Sequence, residues 1–364
     1  MISRQYRGLN GNIYTIGNEI GRGGEGTVLD IVENKSIVVK LYTEPLEKDK
    51  IEKLLYMATI KDVEILKLAA WPLDLVKNDN AIICGFIMKK LEGFMPLHML
   101  FSPMNRKKIF PDKGYNFLIH VARNLASAFH RIHSLGIVIG DVNEANILVN
   151  QNGLISLIDC DSFQIKNHNI YHLCEVGVPR YTSPELLNIG SFANQVRTVQ
   201  MDSFSLATLI FQLLFFGRAP FMGIPLTDDE LTEEEAIRTN QFAYSLRNVK
   251  KKLGPAKDSF ELKNLTNDIV ELFHLAFETV GQRPLPSHWA VALDGLIKEL
   301  ITCDESKLHL YPRKLGECPW CRFKNRSGVV FFLDDKYLGK TPELGNIEQF
   351  VNGFRLERIE INKL

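Results

Sequence analysis

The chain has no excess of charge of either sign: Lys+Arg and Asp+Glu both number 43 in 364 residues. With no net field to favour a polyanion, neither nucleic acid nor an anionic membrane surface is expected as a partner. Long apolar runs are also missing. The longest, Phe204 to Phe216, is interrupted by Ser205, Thr208 and Gln212. It falls short of the ~20 residues that a bilayer requires, so it reads as a buried helix with no membrane span. No basic segment followed by an apolar one opens the chain, which argues against a secretory leader and for a cytoplasmic location. Cysteine is scarce, at 6 residues. That is too few for a disulfide frame in a chain this long, so thiols or metal ligands are expected. What remains is an ordinary globular balance, 45% hydrophobic and 24% charged, with length enough for two lobes or domains.

Strand signals come first. "GNIYTIGNEIGRGGEGTVLDIVENKSIVVKLY" alternates apolar with polar residues and clusters β-branched ones, predicting a three-stranded antiparallel meander with a turn at Glu33-Asn34-Lys35. Residues 45 to 69 carry a helical pattern, and "AIICGFIMKKLEG" reads as a further strand ended by Gly93. From Tyr115 onward the pattern is helical. Strands followed by helices predict an α+β protein with a sheet-rich N-terminal lobe and a helical C-terminal lobe.

Within the meander, "GRGGEGTV" sets Gly21, Gly23 and Gly26 in G-x-G-x-x-G spacing, with Gly24 between them and Val28 after. Glycine lets backbone N–H groups approach phosphate oxygens where a side chain would collide. A dinucleotide-binding fold wants this motif in a strand-to-helix turn, whereas here it falls between two strands. Lys40 closes "SIVVK", where an ammonium group on a strand can meet phosphates. Such a lysine needs a carboxylate to hold it. Glu52 in "KIEKLLYM" is the first choice and Glu47 the alternative. Further on, "VIGDVNEANILVN" offers Asp141 and Asn146, and "LISLIDCD" offers Asp159 after an apolar strand. A proton acceptor and two oxygen ligands suit a magnesium ion (or manganese) held beside phosphates.

Taken together, these residues resemble the eukaryotic-like (Hanks-type) protein kinase family over roughly residues 10 to 300. "YTSPE" is similar to the family's A-P-E, "MDSFSLATLIFQLLFFGRAPF" to its central helix with Asp202 anchoring the catalytic loop, and "QRP" supplies Arg283 to pair with Glu185. The resemblance implies a bilobal kinase-like fold, with an N-lobe at 10–92 and a C-lobe at 93–300. It also implies ATP bound by the glycine turn, Val28, Lys40 and Glu52. Met88 would be the gatekeeper and Lys89 to Leu91 the adenine-contacting hinge. Asp141 would accept the hydroxyl proton, and Asn146 and Asp159 would hold the metal.

Several positions depart from the family. Its His-Arg-Asp is Ile139-Gly140-Asp141 here, which removes the guanidinium that would meet a phosphorylated activation loop. Asp-Phe-Gly becomes Asp159-Cys160-Asp161, where Asp161 is either a further metal or water ligand or a hydrogen-bonded turn residue. The lysine that follows the catalytic aspartate is Asn143, and its usual threonine partner is Val178. Asn143 is expected to donate to the γ-phosphate as a neutral dipole. Replacing a charge-assisted contact in this way slows transfer by about ten- to a hundredfold without abolishing it.

Past residue 300, Cys303, His309, Cys318 and Cys321 form a C-x5-H-x8-C-x2-C set. Two thiolates from one C-x-x-C turn plus two more N/S ligands are what tetrahedral zinc requires. A small zinc-binding module at 301–364 is therefore expected, with "SGVVFFLDDKYLG" as a short hairpin or strand. A kinase domain followed by "CPWC" resembles bacterial kinases encoded beside a von Willebrand factor A protein and a PPM-type phosphatase, and the resemblance implies those two partners. The functional expectation is an ATP- and Mg²⁺-dependent Ser/Thr protein kinase acting on itself or a partner. The alternatives are a nucleotide-binding scaffold without transfer and a small-molecule phosphotransferase.

Overall fold

A computed structural model describes residues 4–333 except 229. Six strands make a closed antiparallel barrel: β1 (Gln5–Gly8), β2 (Ile13–Arg22), β3 (Gly26–Ile31), β4 (Ile37–Tyr42), β5 (Asp74–Lys77) and β6 (Ile83–Lys89), in the order β1-β2-β3-β4-β6-β5. The expected meander is β2-β3-β4. Strand β1 extends the lobe ahead of the predicted start at residue 10, because it pairs with both β2 and β5 and so closes the barrel. Tyr6, Tyr14, Ile31, Val39, Val76 and Ile87 form its small apolar core. The helical stretch between β4 and β5 is two helices, α1 (Lys48–Thr59) and α2 (Val63–Leu68); Asp62 caps α2 by accepting from the N–H groups of Glu64 and Ile65.

The second lobe begins with a three-stranded sheet, β7 (Phe94–Pro96), β8 (Ile147–Asn150) and β9 (Ile155–Leu157), between which run α3 (Leu97–Phe101), α4 (Pro103–Ile109) and α5 (Tyr115–Ser134). A short ribbon, β10 (Ile165–Asn167) and β11 (Ile170–His172), follows, then α6 (Pro184–Leu187) and α7 (Val199–Leu214). Helix α7 is the interrupted apolar run, buried on every side from Asp202 to Leu214. The two-residue strands β12 (Ile224–Pro225) and β13 (Leu253–Gly254) flank α8 (Glu233–Arg238), and α9 (Asn267–Glu278) and α10 (Pro286–Lys298) complete the bundle.

The hairpin β14 (Leu300–Cys303) and β15 (Ser306–Pro312) then leads to α11 (Pro319–Ser327). These elements do not form a separate body, contrary to the boundary drawn at residue 301. Trp320 is fully buried, with ring centroids 4.9 Å from Tyr115, 5.2 Å from Phe260 and 5.3 Å from Phe216. Arg106 of α4 is buried there with no carboxylate partner among the described residues; it donates to the carbonyls of Leu100 at 3.2 Å and Phe331 at 2.6 Å and lies over the Phe332 ring. The described part of the predicted hairpin, residues 327–333, contains no strand; its aromatic side chains pack on this core instead, and the rest lies outside the described residues.

Candidate active site

Strand register lines up the residues expected to meet phosphate. Gly21 of β2 is opposite Val28 of β3, and Val28 is opposite Lys40 of β4, so Val28 and Lys40 share one face of the sheet. In the turn between β2 and β3 the N–H of Gly23 donates to the Gly26 carbonyl at 2.9 Å. A Cβ on Gly26 would lie 2.3 Å from the Leu41 carbonyl oxygen, so strand packing requires that glycine. A Cβ on Gly21 or Gly24 would meet nothing within 4 Å; open backbone of this kind fits an incoming phosphate. Met88 stands opposite Val38, half-buried against the large core, while Lys89 ends β6 exposed and Leu91 is half-buried beyond it.

Lys40 does not meet Glu52. Its Nζ lies 2.9 and 3.1 Å from the two carboxylate oxygens of Asp161 and 3.2 Å from Asp159 Oδ1. Glu52 sits on the outer face of α1, half-exposed and 3.5 Å from Lys48, and Glu47 is the exposed N-cap of that helix. The face that α1 turns inward carries Lys50, Lys53, Leu54 and Met57. Lys50 Nζ is 3.0 Å from Asp161 Oδ2, and the Tyr42 hydroxyl donates to the same oxygen at 2.6 Å. Asp161 is almost wholly buried, whereas the Asp159 side chain is half-exposed. Burial alone would raise the Asp161 carboxyl, but Lys40 and Lys50 hold it well below the usual carboxylate range. The same carboxylates outweigh burial at Lys40 and raise it.

In the loop between α5 and β8, Asp202 of α7 accepts from the N–H groups of Ile139 at 2.7 Å and Gly140 at 2.9 Å, and pairs with His133 at 2.9 Å. This is the anchoring expected of it. Asn146 Nδ2 donates to Asp141 Oδ2 at 3.0 Å, leaving the amide oxygen as the atom a cation could use. Burial raises the Asp141 carboxyl, opposed by hydrogen bonds from Asn143 and Asn146 and by Arg197. Asn143 departs from its expected role. Its oxygen accepts from the N–H groups of Ala145 at 3.0 Å and Asn146 at 3.1 Å, and its nitrogen faces Asp141 at 3.4 Å. An amide closed on its own loop shapes that loop and does not reach outward to a phosphate.

A guanidinium does stand where the family arginine is missing. Gly140 has φ +76°, and a Cβ there would come within 2.7 Å of Cys174 Sγ and 3.0 Å of an Arg197 guanidinium nitrogen. Arg197 is buried and donates to the Val176 carbonyl at 2.7 Å, tying the segment before α6 to the loop. Sequence spacing could not reveal Arg197, Lys50, Lys53 or Tyr42, since no pattern links them to Asp141 or Asp159. Asp161 was visible as a second carboxylate in "DCD". Arg283 meets Glu185 through two bonds of 2.6 and 2.8 Å, as expected.

Away from the cleft, the ligand atoms of Cys303, His309, Cys318 and Cys321 lie within 4.8 Å of one another. Zinc bonds near 2.3 Å to sulfur and 2.0 Å to nitrogen set tetrahedral edges of about 3.8 Å (S–S) and 3.5 Å (S–N). The separations are 3.7 Å for Cys303–Cys321, and 3.8 and 3.5 Å from Cys318 and Cys321 to His309 Nδ1. Burial, with the neighbouring thiols, pushes the Cys318 thiol up to about 12. A bound cation would relieve that cost.

No helix among the described residues is long and apolar enough to cross a membrane. The model of the protein kinase domain family matches residues 14–306. Protein kinase YegI of Escherichia coli K12 is 41% identical over 329 residues, 89% of this chain and 51% of the relative, so the chain spans about half the length of that protein. A cAMP-dependent protein kinase catalytic subunit-like protein of Caenorhabditis elegans is 27% identical over 52% of this chain and 45% of its own. A solved ROP18 kinase domain, in complex with AMP-PNP and sucrose, shares the fold at a TM-score of 0.54 and 15% identity, covering 82% of this chain and 85% of that one. A closed six-stranded barrel over a helical lobe, a loop held by Asp202 and a family match across both lobes lead to one conclusion: the chain belongs to the protein kinase domain family.

Proposed function

We propose that the protein transfers the γ-phosphate of Mg-ATP to a serine or threonine of a protein. One observation carries this reading: Lys40 from β4 and Asp159 from the segment after β9 meet at 3.2 Å, and the charge of Asp159 is felt by Asp141 and that of Glu25 in the glycine turn by Lys40. Lys40 would hold the phosphates, while Asp159 and the Asn146 amide oxygen would hold magnesium. Bound magnesium would neutralise charge developing on the phosphates. Asp141, raised by burial and oriented by Asn146, suits the role of acceptor for the hydroxyl proton. The serine/threonine class is supported by the family resemblance, as are a von Willebrand factor A protein and a PPM-type phosphatase as partners. The Cys/His cluster is proposed to bind structural zinc.

The turning of Asn143 into its own loop favours slow transfer and keeps a nucleotide-binding scaffold as the second reading. Labelled ATP with Mg²⁺ separates the two, with the chain alone and with candidate partners. Transfer by the wild type that falls at least about a hundredfold in Asp141→Asn, with ATP still bound, supports the kinase. Binding without transfer supports the scaffold. Transfer to a small molecule and to no protein supports the third alternative.

A further inference from the structure

The lysine expected to hold phosphate has no carboxylate from α1. The acids near the start of that helix are occupied elsewhere: Asp49 with His172 at 2.9 Å and Glu52 with Lys48 at 3.5 Å. The helix offers cations to the cleft instead. Lys50 reaches Asp161 through its carboxylate at 3.0 Å and its backbone carbonyl at 3.1 Å, and lies 3.6 Å from Glu25 in the glycine turn. Between the two ammonium groups lies Asp161, 1% exposed, with Tyr42 as a further donor at 2.6 Å. A carboxylate so fully buried persists only when every oxygen is paired, and here both are. The short 3₁₀ turn at Cys160–Ser162 leaves the Asp159 side chain half-exposed and the Asp161 side chain buried, both within reach of Lys40. A glycine at position 161 would leave Lys40 with the half-exposed Asp159 alone.

We propose that Asp161 is the positioning residue for Lys40, and that Lys50 couples α1 to it, giving a Lys40–Asp161–Lys50 relay in which the helix supplies the cation. The relay rests on the reading of Lys40 as the phosphate-binding lysine of a phosphotransferase. Its geometry ties β4, the segment after β9, α1 and the glycine turn to one carboxylate. A shift of α1 that withdrew Lys50 would leave Asp161 with Lys40 and the Tyr42 hydroxyl only. Neutralising Asp161 also removes a negative charge beside the phosphates. Nucleotide affinity should therefore survive the substitution, and the loss should fall on turnover.

The test measures kcat, KM for ATP, the Kd for Mg-ATP and the melting temperature of the full chain as wild type, Asp161→Asn, Lys50→Met, Lys40→Met and Lys40→Met/Asp161→Asn. Asp161→Asn is expected to lower kcat by roughly ten- to a hundredfold, the worth of one charge-assisted contact, with Kd within about threefold of wild type. In the Lys40→Met background it should cost nothing more, because it acts through that lysine. An Asp161→Asn kcat within about threefold of wild type overturns the relay. So does a further loss of similar size in the Lys40→Met background, which marks a merely structural role. If Asp161→Asn fails to fold, Lys50→Met decides: a kcat fall of about three- to tenfold supports the relay, and an unchanged kcat overturns it. A wild type that transfers no phosphate overturns the kinase reading itself, whatever the variants do.

Discussion

Lys53 is a buried cation with no ion-pair partner among the described residues, 3% exposed and 3.4 Å from the Leu173 carbonyl. Burial, and then the charge of Lys50, lower it to about 8 from its ordinary 10.5. Between those two values the unfolded chain binds more protons than the folded one, so stability rises with pH across that window. Below about 8 the whole penalty is present. Replacing Lys53 with Met, of similar length, is expected to stabilise the protein by about 2 kcal/mol at pH 7, and the gain should shrink as pH rises from 8 towards 10.5. Urea unfolding at pH 7 and pH 10 measures it; an equal gain at both values would show that packing and not charge is the cause. The same helix shows why the sequence does not reveal that Glu52 faces away from Lys40. Successive helix residues differ by about 100° in direction, so which of Lys50, Glu52 and Lys53 faces the cleft depends on packing that no spacing reveals.

At the level of elements, α7 organises the loop that carries Asp141. Asp202 holds two N–H groups of the loop, and Arg197, just ahead of the helix, fills the space beside Gly140. Gly140→Ala would place a Cβ 2.7 Å from Cys174 at a positive φ, and should cost about 1–3 kcal/mol of stability by chemical denaturation. Restoring the family's arginine at 140 should be worse, since Arg197 and Cys174 already occupy that volume. Arg283, wholly buried, clamps the start of α6 to the loop after α9 through Glu185. Its replacement by Ala leaves a partly buried carboxylate alone and is expected to cost about 3 kcal/mol. A thermal melt indistinguishable from wild type would refute that.

For the whole molecule, one apolar core runs from Leu54 and Met57 of α1 through the helical lobe to Trp320, Phe323 and Phe332. The Cys/His cluster is therefore welded to the lobe that holds the Asp141 loop. Removing the zinc proposed for it should lower the melting temperature of the entire second lobe in one transition, with no separate low-temperature step for the tail. Calorimetry with and without a zinc chelator, and on Cys321→Ser, checks this, and atomic spectroscopy should find about one zinc per chain. A chelator-treated protein that melts in two steps would show an independent module.

The order of strands before helices, the glycine turn between two strands, the hold of Asp202 on the Asp141 loop, the Arg283–Glu185 pair and the gathering of the Cys/His set were all legible in the chain. Each depends on spacing within one element or on a short motif, and local geometry preserves such spacing. Tertiary structure alone decided the partner of Lys40, the inward turn of the Asn143 amide, the arrival of Arg197 beside Gly140, the closing of the barrel by β1 and the merging of the tail with the second lobe. Those outcomes turn on which buried charge finds an opposite charge and which apolar face finds cover. Burial makes both choices strict, and they are made between segments far apart along the sequence.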